Sequence, residues 1–444
     1  MSVGTTEVAF GINAGWSNAE WSAGPWNQPG TSAYITGVQA TSSLGTTTVN
    51  AEIRAGWSRL AWSSATWNQA PDNFISITGE ELTTSFDFGR GWSREEWSSG
   101  NWNEALGLVL LEKNEYDLSL IYFSESAKLL NDQTEKKSNN QRFQIISKAK
   151  IEHDIEQFEY LASKNYDIKK FTDLALLYKK VASEINWPSD TSLVTLNNKY
   201  QSLLKDSYNR LVHISEAPKL KEKVINNSLN IEQITNDYFN HEFGLTYIDN
   251  FLSSKAIESL RDFLLESTIW FNVKQNGYVG AFLREGFANP LIIQIADELR
   301  TKFPKIFKNY PINHIWAFKY DSRSKNKKSS LRGINVHADF ASINVNFWIT
   351  PKKANLNPKS GGLIVYDVEA PKEWDFNTFN NDEKRIREEL KKSKGNTKVI
   401  PYNENRAVIF NSNLFHETDS YEFKEGYENR RINVTLLFGR RKDN

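Results

Sequence analysis

The chain of 444 residues contains no cysteine, and its single methionine is Met1. The absence of cysteine excludes disulfide bonds, thiolate zinc sites, iron–sulfur clusters and cysteine nucleophiles, so a strong metal site must use histidine and carboxylate ligands. Lysine and arginine total 54, as do aspartate and glutamate, and the formal net charge is therefore zero. A balanced charge argues against a nucleic-acid-binding protein and against a basic membrane-surface protein.

Long hydrophobic runs are also lacking, since no stretch approaches the roughly 18 apolar residues of a membrane-spanning helix. The N-terminus, MSVGTTEVAFGIN, has neither the basic nor the apolar region of a secretory signal. We therefore expect neither a signal peptide nor a transmembrane segment.

Composition divides the chain into three zones. Residues 1–104 hold no lysine, four arginines, ten acidic residues and nine of the fourteen tryptophans. Residues 105–240 are rich in lysine, glutamate and leucine, and residues 241–444 contain short alternating runs separated by turn residues. The sequence predicts a multidomain α+β chain with a Trp-rich β-repeat region, a helical spacer and a C-terminal jelly-roll barrel with flanking helices. The spacing of apolar residues predicts helices in the spacer over 141–164, 168–186 and about 192–214.

The first zone is an internal repeat. Its three copies read GWSNAEWSAGPWN (15–27), GWSRLAWSSATWN (56–68) and GWSREEWSSGNWN (91–103), with tryptophans five residues apart. This spacing fits neither a strand nor one face of a helix, and the Thr/Val/Ile-rich runs between the copies are typical of β-hairpins. The tryptophans form either a structural ladder or a row of aromatic platforms for a sugar or another repetitive ligand. The repeats resemble short β-repeats in tail and other structural proteins of marine cyanobacterial phages. That resemblance implies a virion-associated or host-cytoplasmic protein with other virion proteins as partners.

The third zone combines two helices with serial strands. Ser253 or Ser254 can cap a helix over about 254–266, and Asn289-Pro290 opens a second helix that runs to about 302. One strand places Asn344, Asn346 and Trp348 on the face opposite four apolar residues, which predicts a cavity. The predicted strands are HIWAFKY (314–320), INVHADF (334–340), SINVNFWIT (342–350), GGLIVYD (361–367), RAVIFNS (406–412) and RINVTLLFG (431–439).

Two histidines and an aspartate stand at positions that suit a metal site. His337 and Asp339 are two residues apart, hence on one face of a predicted strand, and His416 follows in the next-to-last strand region. Two histidines and one carboxylate can occupy one face of octahedral Fe(II) and leave three positions open. Arg431 and Asn433 share the polar face of the last strand, where a guanidinium can bind a carboxylate with two hydrogen bonds. By strand parity, Arg430 faces the other way.

The pattern HAD…GG…FHETD…RRIN resembles the Fe(II)- and 2-oxoglutarate-dependent dioxygenases, in particular their prolyl-4-hydroxylase-like branch, which are built on a double-stranded β-helix. The resemblance implies that His337, Asp339 and His416 bind Fe(II), that Arg431 binds the far carboxylate of 2-oxoglutarate, and that O2 is a co-substrate. Asn433 stands where the family more often has serine. Tyr320 resembles a tyrosine that often assists 2-oxoglutarate binding, although it lies seventeen residues before His337. Asn346 faces the predicted cavity and completes the expected cofactor site.

Several functions remain open from the sequence. The first is a hydroxylase that acts on a protein, peptide or glycan side chain and is tethered to a phage particle by its repeats. The alternative is a non-catalytic structural or adhesive virion protein that binds through its tryptophans and carries a degenerate barrel. A nucleic-acid substrate is the least favoured because the charge is balanced. We also expect a possible homo-oligomer of no particular number, and lids formed by the lysine-rich loop before His337 and the insert at about 372–398.

Overall fold

The computed structural model describes residues 99–131, 141–188, 192–274, 276–320, 333–393 and 395–441. The first two tryptophan repeats and most of the third lie outside these residues, as does most of the lysine-rich loop before His337. The predictions about a β-repeat region and about a lid in that loop therefore stay predictions. The chain divides into two compact units, Met1–Ala105 and Leu106–Asn444, and nearly all of the described residues belong to the second.

Helices supply the first half of this unit and the flanks of the second half. Ser253 caps one helix by accepting a hydrogen bond from the Ala256 N–H, and Asn289 caps another by accepting from the Ile292 N–H at 2.9 Å. Both predicted helices of the third zone are thereby confirmed. The helices of the described residues are α1 (Ser99–Glu112), α2 (Tyr116–Asn131), α3 (Lys148–Ser163), α4 (Ile168–Glu184), α5 (Asn198–Leu204), α6 (Ile231–Asn240), α7 (Ser254–Glu266), α8 (Pro290–Lys302), α9 (Pro304–Phe307), α10 (Phe376–Asn381) and α11 (Glu383–Ser393).

Two of the predicted spacer helices are shorter than expected. The helix predicted over 141–164 begins only at Lys148, because the Ser147 hydroxyl accepts the Lys150 N–H at 3.1 Å and fixes the N-terminus there. The prediction over 192–214 was wrong in extent, since only α5 is helical and the residues before it pair as a strand. The third prediction, 168–186, is confirmed by α4.

Two antiparallel sheets dominate the second half of the unit. The larger sheet has the order β3-β10-β7-β12-β6-β5-β4 and the smaller has the order β11-β8-β9, while β1 and β2 form a separate pair. The strands are β1 (Ile145–Ile146), β2 (Val194–Thr195), β3 (Leu245–Ile248), β4 (Asn272–Lys274), β5 (Tyr278–Phe282), β6 (Ile312–Tyr320), β7 (Ile343–Trp348), β8 (Leu363–Glu369), β9 (Thr397–Ile400), β10 (Ala407–Asn411), β11 (Leu414–Thr418) and β12 (Ile432–Phe438).

From β6 onward the chain winds alternately between the two sheets. It runs from β6 in the larger sheet to a segment bridged to β11, returns to β7, crosses to β8 and β9, and then takes β10, β11 and β12 in alternate sheets. This alternation is the winding of a jelly roll. The prediction of an α+β chain with an antiparallel C-terminal barrel and flanking helices is confirmed for the described residues.

The strand predicted at 334–340 was wrong. Only His337 forms a bridge there, to His416. The next two backbone N–H groups do not continue the pairing with β11. The Ala338 N–H donates to Phe379 O at 2.9 Å, and the Asp339 N–H donates to Ser412 O at 3.1 Å. The ladder therefore ends after one pair.

The helical segments support the outer face of β6. Along this strand Phe318 and Tyr320 face the space between the sheets, whereas Lys319 faces the helices. The Lys319 ammonium donates to Leu264 O at 3.1 Å and to the Tyr427 hydroxyl at 2.7 Å, and it lies 4.3 Å from the Trp270 ring centroid. From α3, Gln157 donates to the carbonyl oxygens that end α7. These contacts fix the strand that carries Tyr320.

Within the part of the chain that the structure describes, we find no helix with both the length and the apolar character needed to cross a membrane. The largest buried cluster of apolar side chains includes residues from α1 and α2 as well as from the large sheet. The three-zone division of the chain stays a prediction.

Candidate metal centre

His337 and His416 lie side by side because their backbones form a cross-strand pair. The His337 N–H donates to His416 O at 3.0 Å, and the His416 N–H donates to His337 O at 2.8 Å. The ring centroids are 4.3 Å apart. A hydrogen-bonded antiparallel pair places both side chains on the same face of the sheet, so the pairing itself brings the two imidazoles together.

The same backbone fixes the tautomer of both rings. Nδ1 of His337 lies 2.8 Å from Asn335 O, and Nδ1 of His416 lies 2.9 Å from Leu414 O. A carbonyl oxygen only accepts, so each Nδ1 must carry the hydrogen and each Nε2 keeps its lone pair. Burial, together with the neighbouring His416, lowers the pKa of His337 to about 4. His337 is therefore neutral near neutral pH and available as a ligand.

Asp339 lies between the two Nε2 atoms. Its Oδ1 is 3.7 Å from His337 Nε2, and its Oδ2 is 3.5 Å from His416 Nε2. Burial alone would raise the pKa of this carboxyl, but the adjoining His416 and His337 rings and the hydrogen bond from Asn344 together lower it. Asp339 is 5% exposed and is held as a carboxylate.

These three side chains have the chemistry of a facial metal site. Among the described residues, one group of histidine, aspartate or glutamate atoms is placed to hold a metal, and its three ligand atoms lie within 4.8 Å of one another. Two imidazole nitrogens and one carboxylate fit Fe(II), and the carbonyl partners on Nδ1 orient the rings as metal-bound histidines require. The residues predicted for the metal are thus brought together.

All of the other predicted site residues open into the same cavity. It has a volume of about 400 Å³ and lies between the two sheets, with the three metal-site residues in its wall. It is also lined by Tyr320, Asn346, Arg431 and Asn433, the four residues predicted for the cofactor.

Arg431 is buried at 2% exposure and has no acidic hydrogen-bond partner among the described residues. Its Nε donates to Gly361 O at 2.7 Å, its Nη2 to Gly362 O at 3.1 Å, and its Nη1 to the Asn433 side chain at 3.4 Å. Arg430 points away from the cavity to Glu156, 2.7 Å distant, as parity predicted. The Asp419 carboxyl lies near enough for its charge to interact with Arg431, but no carboxylate of the described residues accepts a hydrogen bond from it. A buried guanidinium without such a partner is costly, and this one can still donate into the cavity.

Gly362 is needed where β8 begins beside β9 and Arg431. A Cβ on Gly362 would lie 1.9 Å from Ile400 O. We expect Gly362→Ala to destabilise the fold by about 3 kcal/mol, the upper range for overpacking. Gly426→Ala is the matched control, since its methyl would meet only Asn429 Nδ2 at 3.5 Å and its cost comes from the positive φ. Thermal unfolding of both variants measures the difference, and equal melting temperatures would contradict the crowding argument.

Tyr320, Asn346 and Asn433 contact the cavity in different ways. The Tyr320 ring lies 4.5 Å from the Arg431 guanidinium carbon, and its hydroxyl is 3.5 Å from Thr418 Oγ1. The Asn346 side chain forms hydrogen bonds with neighbouring side chains, among them one from the Thr435 hydroxyl to Asn346 Oδ1 at 2.8 Å. Direct contact of these three residues with a cofactor stays a prediction.

Sequence reasoning missed one wall of the cavity. The insert at 372–398 folds into α10 and α11 and supplies Phe376, Asn380 and Glu383 to the lining. Its action as a lid stays a prediction. The insert is anchored by Arg387, whose Nη2 lies 2.5 Å from Glu417 Oε2. The charged, weakly apolar sequence of the insert carried no signal for this wall, because its position depends on contacts with residues distant in the chain.

No protein-family model matches the chain, and no curated protein matches it. Solved structures give weak similarities. A prolyl-4-hydroxylase from Pseudomonas putida is 14% identical, with 47% of this chain and 99% of that one covered and a TM-score of 0.30. A viral collagen prolyl hydroxylase from Paramecium bursaria Chlorella virus-1 is 12% identical, with 45% and 96% covered and a TM-score of 0.27.

A third similar structure is an oxidoreductase of the 2OG-Fe(II) oxygenase family from Burkholderia pseudomallei, 10% identical, with 51% and 96% covered and a TM-score of 0.29. Because these identities and TM-scores are low, the function proposed below rests on the geometry of the cavity. The His-Asp-His group agrees with the resemblance carried by the sequence motifs.

Proposed function

We propose that the C-terminal barrel is an Fe(II)- and 2-oxoglutarate-dependent dioxygenase. The observation that carries this proposal is the buried Arg431 guanidinium, which has no acidic hydrogen-bond partner among the described residues and opens into the cavity of the His-Asp-His group. A neutral ligand would leave the guanidinium without a hydrogen-bonded carboxylate, whereas a dicarboxylate would supply one. One cavity thus suits both a facial metal and an anionic co-substrate.

Each residue has a defined role in this proposal. His337, Asp339 and His416 would hold Fe(II) through two imidazole nitrogens and one carboxylate oxygen. When bound, the iron and 2-oxoglutarate supply the chemistry that activates O2 and hydroxylates a substrate C–H bond, with 2-oxoglutarate converted to succinate and CO2. Arg431 binds the distal carboxylate, and Asn433 holds the guanidinium. The rings of Tyr320 and Trp348, which are almost fully buried, exclude water from this end of the cavity.

The other end of the cavity suits a substrate with both apolar and polar groups. Phe282 and Trp316 are partly buried cross-strand partners, with ring centroids 6.3 Å apart. Aromatic rings bind apolar surfaces, while the Asn380 and Asn381 amides on the insert add polar groups to the lining. We propose a protein, peptide or glycan side chain as the substrate.

Anaerobic titration of the full chain with Fe(II) and 2-oxoglutarate tests the proposal. The expected result is a visible charge-transfer band that saturates with 2-oxoglutarate, followed by formation of succinate once O2 is admitted. Absence of both the band and succinate from folded protein would contradict it. That outcome would favour a structural or adhesive protein with an inactive barrel, which is the alternative drawn from the sequence.

The tryptophan repeats support a second part of the proposal. Their resemblance to phage structural proteins suggests that residues 1–104 tether the enzyme to a virion, with other virion proteins as partners and a homo-oligomer as a possible assembly. Nucleic acid is not an expected partner because the net charge is zero. A chain lacking residues 1–104 should keep the visible band and lose binding to phage particles. Unchanged particle binding would contradict the tether.

A further inference from the structure

A row of buried amides runs from Arg431 to Asp339. Arg431 Nη1 donates to Asn433 Oδ1 at 3.4 Å, and Asn433 Nδ2 donates to Asn346 Oδ1 at 3.2 Å. Asn346 Nδ2 then donates to Asn344 Oδ1 at 2.7 Å, and Asn344 Nδ2 donates to Asp339 Oδ2 at 2.6 Å. The three asparagines, called here the amide row, are each at most 6% exposed.

Strand register creates the amide row. In the pairing of β7 with β12, Asn346 lies opposite Thr435, so Asn433 is its diagonal neighbour on the same face. Asn344 and Asn346 are alternate residues of β7 and therefore also share that face. The Thr435 hydroxyl adds a hydrogen bond to Asn346 Oδ1 at 2.8 Å.

The two ends of the row fix the orientation of every amide within it. A guanidinium can only donate hydrogen bonds, and a carboxylate can only accept them. Each asparagine must therefore turn its oxygen towards Arg431 and its nitrogen towards Asp339. Reversing one amide would place two donors or two acceptors against each other, which is unfavourable in a buried site.

We propose that the amide row positions the Asp339 carboxylate for the metal, with Asn344 and Asn346 as positioning residues. This inference rests on the function proposed above. Asn344 is fully buried and is not part of the cavity wall, so it acts through Asp339. A terminal carboxylate rotates over a broad range of angles. Asn344 Nδ2 donates to Asp339 Oδ2, which leaves Asp339 Oδ1 in a defined direction beside His337.

The test measures Mn(II) affinity of the full chain in the absence of any 2-oxo acid. Asn346→Leu interrupts the row without changing Asp339 or Asn344, and leaves Asn344 Oδ1 without its donor. We expect the Kd for Mn(II) to rise by about 10- to 100-fold, the range for partners of metal ligands. Thr435→Val keeps the side-chain shape and removes one hydrogen bond to Asn346. It should raise the Kd by about threefold, in line with one neutral hydrogen bond.

Asn313→Leu is the matched control. Asn313 is a buried asparagine on β6 whose Nδ2 donates to Gly439 O at 3.0 Å, outside the amide row. It should lower stability and leave Mn(II) affinity unchanged. If the wild-type chain does not bind Mn(II), the proposed function itself is contradicted. If it binds and the folded Asn346→Leu and Thr435→Val variants bind equally well, only the amide row is contradicted. Thr435→Val decides the matter if Asn346→Leu does not fold.

Discussion

Replacing His416 with alanine is expected to abolish the visible Fe(II)–2-oxoglutarate band and to weaken metal binding by more than about 100-fold. Changing a residue that only hydrogen-bonds to a metal ligand already lowers metal affinity by about 10- to 100-fold. His416 offers its Nε2 lone pair because Nδ1 is committed to Leu414 O at 2.9 Å. It is 3% exposed, and alanine offers no ligand atom at that buried position. Anaerobic titration measures the band, and calorimetry with Mn(II) measures affinity without turnover.

His241→Ala is the matched control for this prediction. His241 Nε2 lies 3.3 Å from Asp367 Oδ1, so it also pairs with an aspartate. Among the described residues it belongs to no group that could hold a metal. Its loss should leave both the band and Mn(II) affinity unchanged. If a folded His416→Ala protein binds Mn(II) as tightly as the wild type does, the proposed metal centre is contradicted.

Three of the cavity residues could be predicted from the parity of the strand on which they lie. In β7 the alternation of apolar and polar residues placed Asn346 and Trp348 towards the cavity, and the structure confirms this face. Parity in the last strand likewise separated Arg431 from Arg430. A period of two is a property of the strand itself, so it can be read without knowledge of the partner strand.

Other features could not be predicted because distant residues decide them. The segment 334–340 alternates like a strand, yet the Ala338 N–H donates to Phe379 on the insert, and the register of β11 shifts between Leu414 and His416. Strands β4 and β9 are short and polar, and they pair only because neighbouring strands present an edge. Asn344 could be assigned to the polar face, but its contact with Asp339 depends on how the loop folds.

Replacing Arg431 with methionine is expected to remove selectivity for a distal carboxylate. Truncating one partner of a buried charge pair costs about 2–5 kcal/mol, so the Kd for 2-oxoglutarate at saturating Mn(II) should rise by about 30-fold or more. The guanidinium also donates to Gly361 O and Gly362 O, so the variant loses structural hydrogen bonds as well. A comparison of two ligands within the same variant separates these effects.

The comparison ligand is 2-oxopentanoate, which keeps the 2-oxo acid and replaces the distal carboxylate with a methyl group. Wild-type protein should prefer 2-oxoglutarate strongly, because 2-oxopentanoate leaves the buried Arg431 without a hydrogen-bonded carboxylate. Arg431→Met should bind the two ligands with similar affinity, since structural damage weakens both alike and cancels in the ratio. Arg440→Met, an exposed arginine paired with Glu112 at 2.9 Å, should keep the wild-type preference. A retained preference in Arg431→Met would mean that another cation holds the distal carboxylate, and the assignment of that role to Arg431 would be wrong.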